Sequence, residues 1–360
     1  MKNILPTSKN VKLIGRTFMT DGVLWSAFSG TGIEFFFEGK KLAVTLKADG
    51  ITDKETEGEP EYARYAVYVD NRRTIEGMLD EKEKVIDIIS AATSGKVKVK
   101  ILKLSECAMS TLGISGISVN DKATVTPTPF KDKRMEFIGD SITCGYGVDD
   151  ESELDHFKTS TEDCTGAYAY KTASALKADY SLVSVSGYGI ISGYTETGEE
   201  KIPFQTVPQY YRKLGFSYQS FAGKLPPQDV LWDFSRFTPD AIVINLGTND
   251  DSYCLDKKDR QREYSDEYKK FLKVVRENNP YSHIFCTVGI MGTRIFPALK
   301  QAADEYIKET GDKQVTTFCF DEQDHENDGY AADYHPTRKT HDKAALALTE
   351  FIKETLGWES

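Results

Sequence analysis

The hydrophobic pattern of this chain changes type near residue 130, and that change limits the folds open to it. Before it, short apolar or alternating runs follow one another with no convincing helix between them. After it, apolar strand-like runs alternate with segments of helical spacing. The first pattern is typical of a β-sandwich or jelly roll, and the second of a parallel sheet with crossover helices. The sequence therefore predicts two domains of different class.

Turn residues such as Asp21-Gly22 and Gly39-Lys40 separate the runs of the first region. The runs predicted as strands are Val11–Phe18, Val23–Phe28, Gly32–Phe37, Leu42–Lys47, Tyr62–Val69, Lys84–Ile89, Lys96–Leu102 and Gly113–Val119. Thr124 to Phe130 is rich in Pro and Thr, which is typical of a linker. We therefore expect an all-β jelly-roll (β-sandwich) domain at residues 1–125, a linker at 126–133 and a catalytic domain at 134–360.

The second region is predicted to form a doubly wound, five-stranded parallel sheet, with right-handed crossovers limiting its topology. The strand-like runs are Met135–Ile138, Ser181–Ser186, Ala241–Leu246, His283–Val288 and Val315–Phe320. The helical segments are Tyr168–Ala178, Arg262–Asn278, Phe296–Thr310 and Thr340–Leu356. Open sheets of this kind bind their ligands beyond the carboxyl ends of the strands.

Four short blocks place chemically useful residues in this region. Gly139-Asp140-Ser141 follows the first strand, and Gly187-Tyr188-Gly189 follows the second. Gly247-Thr-Asn249-Asp250 follows the third, and Asp333-Tyr-His335-Pro336 lies near the carboxyl terminus. Taken alone, the Gly-Asp-Ser block is more often an ordinary helix cap. The Asp-Tyr-His-Pro block alone is more often a surface Asp-His pair near the start of a helix. Their occurrence together, in this order, favours a shared function.

Acyl transfer needs a nucleophile, a base, a group that orients the base, and donors for an oxyanion. Ser141 and His335 supply the first two, and Asp333 the third, because side chains two apart on an extended segment point the same way. The backbone N–H groups of Ser141 and Gly187 and the side-chain amide of Asn249 supply the donors. Gly187 is preferred because it follows the strand directly, and Gly189 stays open as its alternative.

With these blocks the chain resembles the SGNH, or GDSL-type, hydrolases, whose four named residues match at Ser141, Gly187, Asn249 and His335. The run Ile-Gly-Asp-Ser-Ile-Thr-Cys-Gly-Tyr-Gly, with a β-rich region ahead of it, is most similar to carbohydrate esterase family 2. The resemblance implies an SGNH-type fold, no metal or other cofactor, and an acetylated oligosaccharide or polysaccharide as substrate. Some members of that family orient the histidine with a backbone carbonyl, so this alternative to the Asp333 carboxylate stays open.

Candidate sugar-binding residues come from two places. Tyr334 matches a position where the family often carries an aromatic residue near the sugar. The connection from 192 to 237 holds ten aromatic residues, about twice the density of the whole chain. Aromatic rings stack on sugars but are also good packing anchors, and both readings stay open. We name Tyr334, Tyr188 and Trp232 as substrate-binding candidates, while His156, His283, His325 and His341 have no catalytic setting in the sequence.

Charge and hydropathy argue against several partners. The formal net charge of −11 disfavours nucleic acid and anionic membranes. No apolar run approaches the ~20 residues that span a bilayer. The amino terminus has no apolar signal region, so we expect a cytoplasmic protein, or a secreted one if a signal was trimmed.

The sequence thus predicts a serine esterase that removes O-acetyl groups from plant-type polysaccharides such as xylan or glucomannan. Two rivals stay open: a carbohydrate-binding protein with a vestigial site, and a hydrolase of the same superfamily that acts on lipids or thioesters. An oligomer is compatible with the sequence.

Overall fold

The computed structural model describes residues 1–53 and 59–359, which divide into two compact units. The first unit contains Met1–Phe130 together with Lys158–Glu162 and Lys213–Trp232. The second contains Lys131–Phe157, Asp163–Arg212 and the chain from Asp233 onward. Two segments from the later part of the sequence therefore cluster with the β-rich region. The domain limits predicted from the sequence stay a prediction.

The first unit is built on one antiparallel, curled sheet of ten strands in the described part of the chain, which confirms its all-β class. The strands are β1 (Lys2–Ile4), β2 (Lys12–Ile14), β3 (Thr17–Thr20), β4 (Val23–Ser26), β5 (Gly32–Ala48), β6 (Arg64–Val69), β7 (Arg72–Met78), β8 (Glu83–Lys103), β9 (Leu112–Val119) and β10 (Thr124–Pro127). A 3-10 turn covers Gly50–Asp53. The Pro/Thr-rich segment therefore begins as a strand, β10, which pairs with β5.

The long strands β5 and β8 each join two runs that the sequence pattern separates. Register shifts between Gly39 and Lys41 and between Leu42 and Ala43 let the pairing of β5 with β8 continue. Such bulges bend a strand and increase its twist locally. The inward side chains of the sheet, including Phe35 and Phe37, form a buried apolar core.

The second unit holds a five-stranded parallel sheet in the order β12-β11-β13-β14-β15, which confirms the predicted α/β class. Its strands are β11 (Arg134–Gly139), β12 (Asp179–Ser184), β13 (Ala241–Asn245), β14 (His283–Ile290) and β15 (Val315–Glu322). The helices are α1 (Ser141–Cys144), α2 (Tyr168–Ala175), α3 (Thr248–Cys254), α4 (Lys258–Asn278), α5 (Phe296–Thr310), α6 (His325–Asp328) and α7 (Arg338–Leu356). Further 3-10 turns along the chain are Cys164–Gly166, Val207–Gln209, Pro227–Asp229, Phe234–Arg236 and Ala332–Tyr334.

Burial follows from the layered arrangement. Every residue of β13 is buried, as expected for a parallel strand covered on both faces. Helix α4 buries Tyr264, Tyr268, Phe271 and Val275, which recur at helical spacing on one face. Helix α7 begins at a Thr337 cap, whose side chain accepts a hydrogen bond from the Thr340 N–H.

The strand order places β11 between β12 and β13. The chain therefore leaves β11 for one neighbour and later returns on its other side, which makes a switch point at the carboxyl ends of these strands. Ser141, Gly187 and Asn249 follow these strand ends. Within the described residues, no helix combines the length and apolarity needed to cross a bilayer. The predicted cellular location stays a prediction.

Candidate active site

Ser141 is the first residue of α1, immediately beyond the end of β11. The Asp140 carboxylate caps this short helix by accepting a hydrogen bond from the Ile142 N–H at 3.0 Å. Gly145, in the left-handed conformation, ends it. Ser141 is only 7% exposed, so its hydroxyl is held in a largely dry position at the rim of the sheet.

The hydroxyl of Ser141 contacts His335, a residue nearly two hundred positions further along the chain. The distance between Ser141 Oγ and His335 Nε2 is 2.9 Å. Enclosure of the ring lowers the pKa of His335 to about 4, while hydrogen bonds to the backbone oxygens of Ala332 and Asp333 oppose that shift. The ring is therefore neutral at neutral pH, and Nε2 is able to accept the serine proton.

The orienting group of His335 differs from the one expected. Nδ1 lies 3.1 Å from the carbonyl oxygen of Ala332 and 3.2 Å from that of Asp333. Carbonyl oxygens only accept hydrogen bonds, so these contacts place the ring proton on Nδ1 and leave Nε2 free to accept. The backbone-carbonyl alternative is the geometry that the structure shows.

The predicted hydrogen bond between the Asp333 carboxylate and His335 is wrong. Asp333 (φ 49°, ψ 40°) and Tyr334 (φ 62°) both have left-handed backbone conformations. The segment is not extended, so the rule that side chains two apart point the same way does not apply. The carboxylate accepts hydrogen bonds from Tyr146 Oη at 2.6 Å, His156 at 2.9 Å and the Phe157 N–H at 3.1 Å.

Two glycines on the loop after β12 differ in what their N–H groups do. The Gly189 N–H donates to the Gln205 carbonyl at 3.2 Å. A Cβ atom on Gly189 would lie 2.2 Å from the Ser192 carbonyl oxygen, so this glycine is required for close packing. Gly187 has φ +78°, and among the described residues its N–H donates no hydrogen bond. This difference favours Gly187 as the available donor.

Asn249 lies in the first turn of α3, just beyond β13. Its Nδ2 donates to the Tyr188 carbonyl at 3.0 Å and to the Asp140 carboxylate at 3.2 Å. The amide is therefore aimed by two acceptors, and one of these bonds has to be shared or exchanged for it to bind an oxyanion. One of the two acceptors, the Asp140 carboxyl group, is buried, and this burial raises its pKa to about 7.

The Asp250 carboxylate organises the neighbouring loop. It accepts hydrogen bonds from the N–H groups of Ile190, Ile191 and Ser192 at 2.7–3.2 Å. Burial raises its pKa to about 6, while these backbone donors lower it. Asp250 thus ties the loop after β12 to the start of α3, and this contact holds the Gly187 and Asn249 loops together.

The three substrate-binding candidates have different environments. Tyr334 is 54% exposed, and its ring lies 5.5 Å from that of Tyr330 in an edge-on arrangement. Tyr188 is only 4% exposed and packs 6.0 Å from the ring of Tyr210. Trp232 belongs to the first unit, where it is 7% exposed with the Arg16 guanidinium over its ring. Only Tyr334 presents an accessible ring, and the burial of the other two favours packing roles.

Sequence reasoning missed the contacts of Tyr146 and His156 with the Asp333 side chain. The Tyr146 ring stacks on the His335 imidazole, with ring centres 3.9 Å apart and planes at 18°. Tyr146 lies inside the Ile138–Gly147 run that carries the nucleophile, and this position is the signal that could have identified it. His156 lies in a polar segment and is 177 positions from Asp333 along the chain. No local pattern indicates that contact.

Comparison with known proteins supports a family assignment. Residues 137–343 match the GDSL-like Lipase/Acylhydrolase family, and residues 13–129 match the Carbohydrate esterase 2 N-terminal family. The chain is 30% identical over 338 residues to a cellulase/esterase, CelE, from Acetivibrio thermocellus, covering 92% of this chain but 38% of that protein. This chain therefore spans well under half the length of that relative.

Two further similarities cover nearly the whole chain. An acetylxylan esterase / glucomannan deacetylase from Cellvibrio japonicus is 24% identical over 356 residues, covering 99% of this chain and 91% of that protein. A solved structure of a family two carbohydrate esterase from Clostridium thermocellum, in complex with cellohexaose, is 29% identical with a TM-score of 0.83. That match covers 97% of this chain and 100% of the other.

Proposed function

This chain belongs to the GDSL-like lipase/acylhydrolase family, and from that premise we propose that it is a serine esterase removing O-acetyl groups from plant-type polysaccharides or their oligosaccharides. The observation that carries the proposal is the 2.9 Å contact between Ser141 Oγ and His335 Nε2 at the rim of the sheet. The carbohydrate esterase 2 match at residues 13–129 and the deacetylase relative support a sugar ester as substrate. The cellohexaose complex of the similar esterase supports a chain of sugars.

In the first half of the reaction, Ser141 Oγ attacks the acetyl carbonyl carbon while His335 Nε2 takes the hydroxyl proton. The carbonyl oxygen becomes an oxyanion, and the N–H groups of Ser141 and Gly187 and the amide of Asn249 stabilise it. When the intermediate collapses, its bond to the sugar oxygen breaks. His335 returns the proton to that oxygen, which leaves an acetyl group on Ser141 and releases the sugar.

In the second half, water attacks the acetyl carbonyl carbon while His335 takes a proton from the water. The tetrahedral intermediate again places its negative oxygen among the same donors. Its collapse breaks the bond to Ser141 Oγ, which recovers its proton from His335, and the product leaves as acetic acid, which ionises to acetate in water. Atoms and protons balance with water as the only co-reactant.

The site suits this sequence of proton transfers. A pKa of about 4 keeps His335 unprotonated in the resting enzyme. When the ring becomes charged, the carbonyl oxygens of Ala332 and Asp333 stabilise the Nδ1–H proton. We assign the orientation of His335 to these backbone oxygens and not to a direct bond from the Asp333 carboxylate.

A panel of esters tests the proposal. We expect acetate release from acetylated xylan or acetylated glucomannan, and much slower cleavage of butanoyl and octanoyl esters. Measurement of initial rates for the protein and its Ser141→Ala variant separates the enzyme from contaminants. Octanoyl esters cleaved as fast as acetyl esters would contradict deacetylation and favour a lipid hydrolase. Tight binding of the glycans with no hydrolysis of any ester would favour the carbohydrate-binding alternative.

A further inference from the structure

The turn that carries His335 has an unusual backbone. Asp333 and Tyr334 are consecutive non-glycine residues with positive φ, at 49° and 62°. Residues with a Cβ atom adopt this conformation only where their surroundings hold them in it, and such positions concentrate at functional sites. Here the turn brings the carbonyl oxygens of Ala332 and Asp333 to His335 Nδ1.

The Asp333 side chain holds this turn. Its carboxylate accepts hydrogen bonds from Tyr146 Oη, His156 Nδ1 and the Phe157 N–H, while the Asp333 N–H donates to the Asp155 carbonyl at 3.0 Å. Partial burial raises the pKa of Asp333, but the hydrogen bonds from Tyr146 and His156 outweigh it and keep the pKa below the ordinary value. The ionised carboxylate is therefore the form that makes these contacts at neutral pH.

Tyr146 connects this carboxylate to the imidazole ring. Its hydroxyl bonds Asp333, its ring stacks on His335 at 3.9 Å, and the Phe157 ring packs at 4.8 Å. Tyr146 directly follows Gly145, the residue that ends the nucleophile helix α1. One side chain thus joins the nucleophile helix, the base and the turn behind the base.

We propose that Tyr146 and the Asp333 carboxylate are positioning residues that keep His335 in the Nδ1–H tautomer and facing Ser141. The carboxylate acts through the turn and through Tyr146, without bonding a nitrogen of the His335 ring. This inference rests on the proposed function, since it concerns the base of that reaction. It predicts that loss of the carboxylate lets the turn relax, so that the Nδ1–H proton loses its acceptors.

The most direct measurement is the tautomer of His335, read by nuclear magnetic resonance on protein labelled with ¹⁵N-histidine. The chain has five histidines, and the signal that disappears in His335→Ala identifies the one of interest. We expect a single Nδ1–H tautomer in the unchanged protein. We expect Asp333→Ala and Tyr146→Ala to show a mixture of both tautomers.

Kinetics supply the second readout. By analogy with outer partners of metal-binding histidines, we expect kcat to fall ~10–100-fold in these variants while KM stays within about twofold. Asp333→Asn, whose amide oxygen still accepts from Tyr146 and from the Phe157 N–H, should recover most of both losses. Loss of a residue that only stabilises the fold would not change the His335 tautomer and would not lower kcat alone.

The chain offers a matched control in the same unit. Asp312 likewise accepts hydrogen bonds from a tyrosine hydroxyl, a basic side chain and a backbone N–H, supplied by Tyr306, Arg276 and Gln314. We expect Asp312→Ala and Tyr306→Phe to leave the His335 tautomer and kcat unchanged. The melting temperature of every variant is measured, so that a loss of kcat caused by lower stability is recognised.

The proposal is overturned if Asp333→Ala and Tyr146→Ala keep one tautomer and a kcat similar to that of the controls. If Asp333→Ala does not fold, Tyr146→Phe decides, because it keeps the ring and removes only the donor to Asp333. A mixed tautomer in that variant supports the proposal, and a single one overturns it. The tautomer is measured without substrate, so this result stands even if the protein hydrolyses no acetylated sugar.

Discussion

Ser141, Gly187 and Asn249 lie just beyond three neighbouring strands of the parallel sheet, whereas His335 lies in a turn that no strand leads into. The two sides also differ in backbone. On the strand side the positive φ at Gly187 falls on a glycine, which adopts it readily. On the turn side Asp333 and Tyr334 carry that conformation, and side-chain contacts hold them in it.

This difference separates two ways of placing a functional group. On the strand side the hydrogen bonds of the sheet bring the strand ends together, and the Asp250 carboxylate then ties the Gly187 and Asn249 loops to each other. The turn side depends on particular contacts between distant residues, such as Asp333 with His156. Substitutions on the strand side should therefore remove chemistry, and substitutions on the turn side should also change geometry.

The largest expected effect comes from removing the nucleophile or the base. Ser141→Ala and His335→Ala should each lower kcat by ~10⁶-fold, by analogy with serine proteases, because the two residues act as one unit. The reaction is followed by acetate release from an acetyl ester. Thermal unfolding should change little for Ser141→Ala. Activity above a few per cent in either variant would contradict the assigned roles.

Removal of one oxyanion donor should have a smaller effect on the same side of the site. Asn249→Ala should lower kcat by ~10²–10³-fold, which is typical for loss of one such donor. Asn278→Ala is the control, since that amide donates to the Val274 carbonyl within α4. A near-normal rate for Asn249→Ala would show that its bonds to Tyr188 and Asp140 serve only the turn.

The pH dependence tests the turn side. His335 works as a base only when it is unprotonated, and its pKa is lowered to about 4 by enclosure. The value of kcat/KM should therefore stay constant as the pH falls through 6.5, and it should decrease only as the pH approaches 4. The measurement is a pH profile with a slow acetyl ester, with protein stability checked at each pH. An acid limb centred near 6.5 would contradict the expected profile, and the titrating group would then be His335 or one of the buried carboxyls Asp140 and Asp250, whose pKa values are about 7 and about 6.

The smallest expected effect concerns backbone strain in the turn. Asn tolerates positive φ better than other residues that carry a Cβ atom, so Tyr334→Asn should be more stable than Tyr334→Ala by up to ~1 kcal/mol. Both variants lose the same ring, which makes Ala the matched control. The free energy of unfolding is measured by denaturant titration. Equal stabilities would indicate that the turn is not strained at Tyr334.

Much of the fold could be predicted from the sequence because its signals are local. The change of hydrophobic period indicated an all-β unit and an α/β unit, and the structure confirms both classes. The helix predicted at Phe296–Thr310 has those bounds, because its apolar spacing and the following Gly311 are encoded within the segment itself. The strand-side candidates could likewise be proposed from blocks that each follow an apolar run.

The remaining features depend on partners that are distant in sequence. Continuation of β5 through Gly39-Lys40 depends on pairing with β8, which local turn signals do not show. The burial of Tyr188 and the exposure of Tyr334 depend on which elements pack over each ring. The clustering of 213–232 with the first unit is also absent from any local pattern.

The hydrogen-bond partners of His335 and Asp333 likewise depend on residues that are distant in sequence. The sequence alone determined that a serine, a histidine and amide donors were available in the order that this reaction class uses. Only the tertiary structure decided that backbone oxygens bond His335 while the Asp333 carboxylate bonds Tyr146, His156 and Phe157. The physical reason is that the left-handed backbone at Asp333 and Tyr334 directs the Asp333 side chain away from His335, unlike an extended segment. Contacts between residues that are distant in sequence hold that backbone conformation.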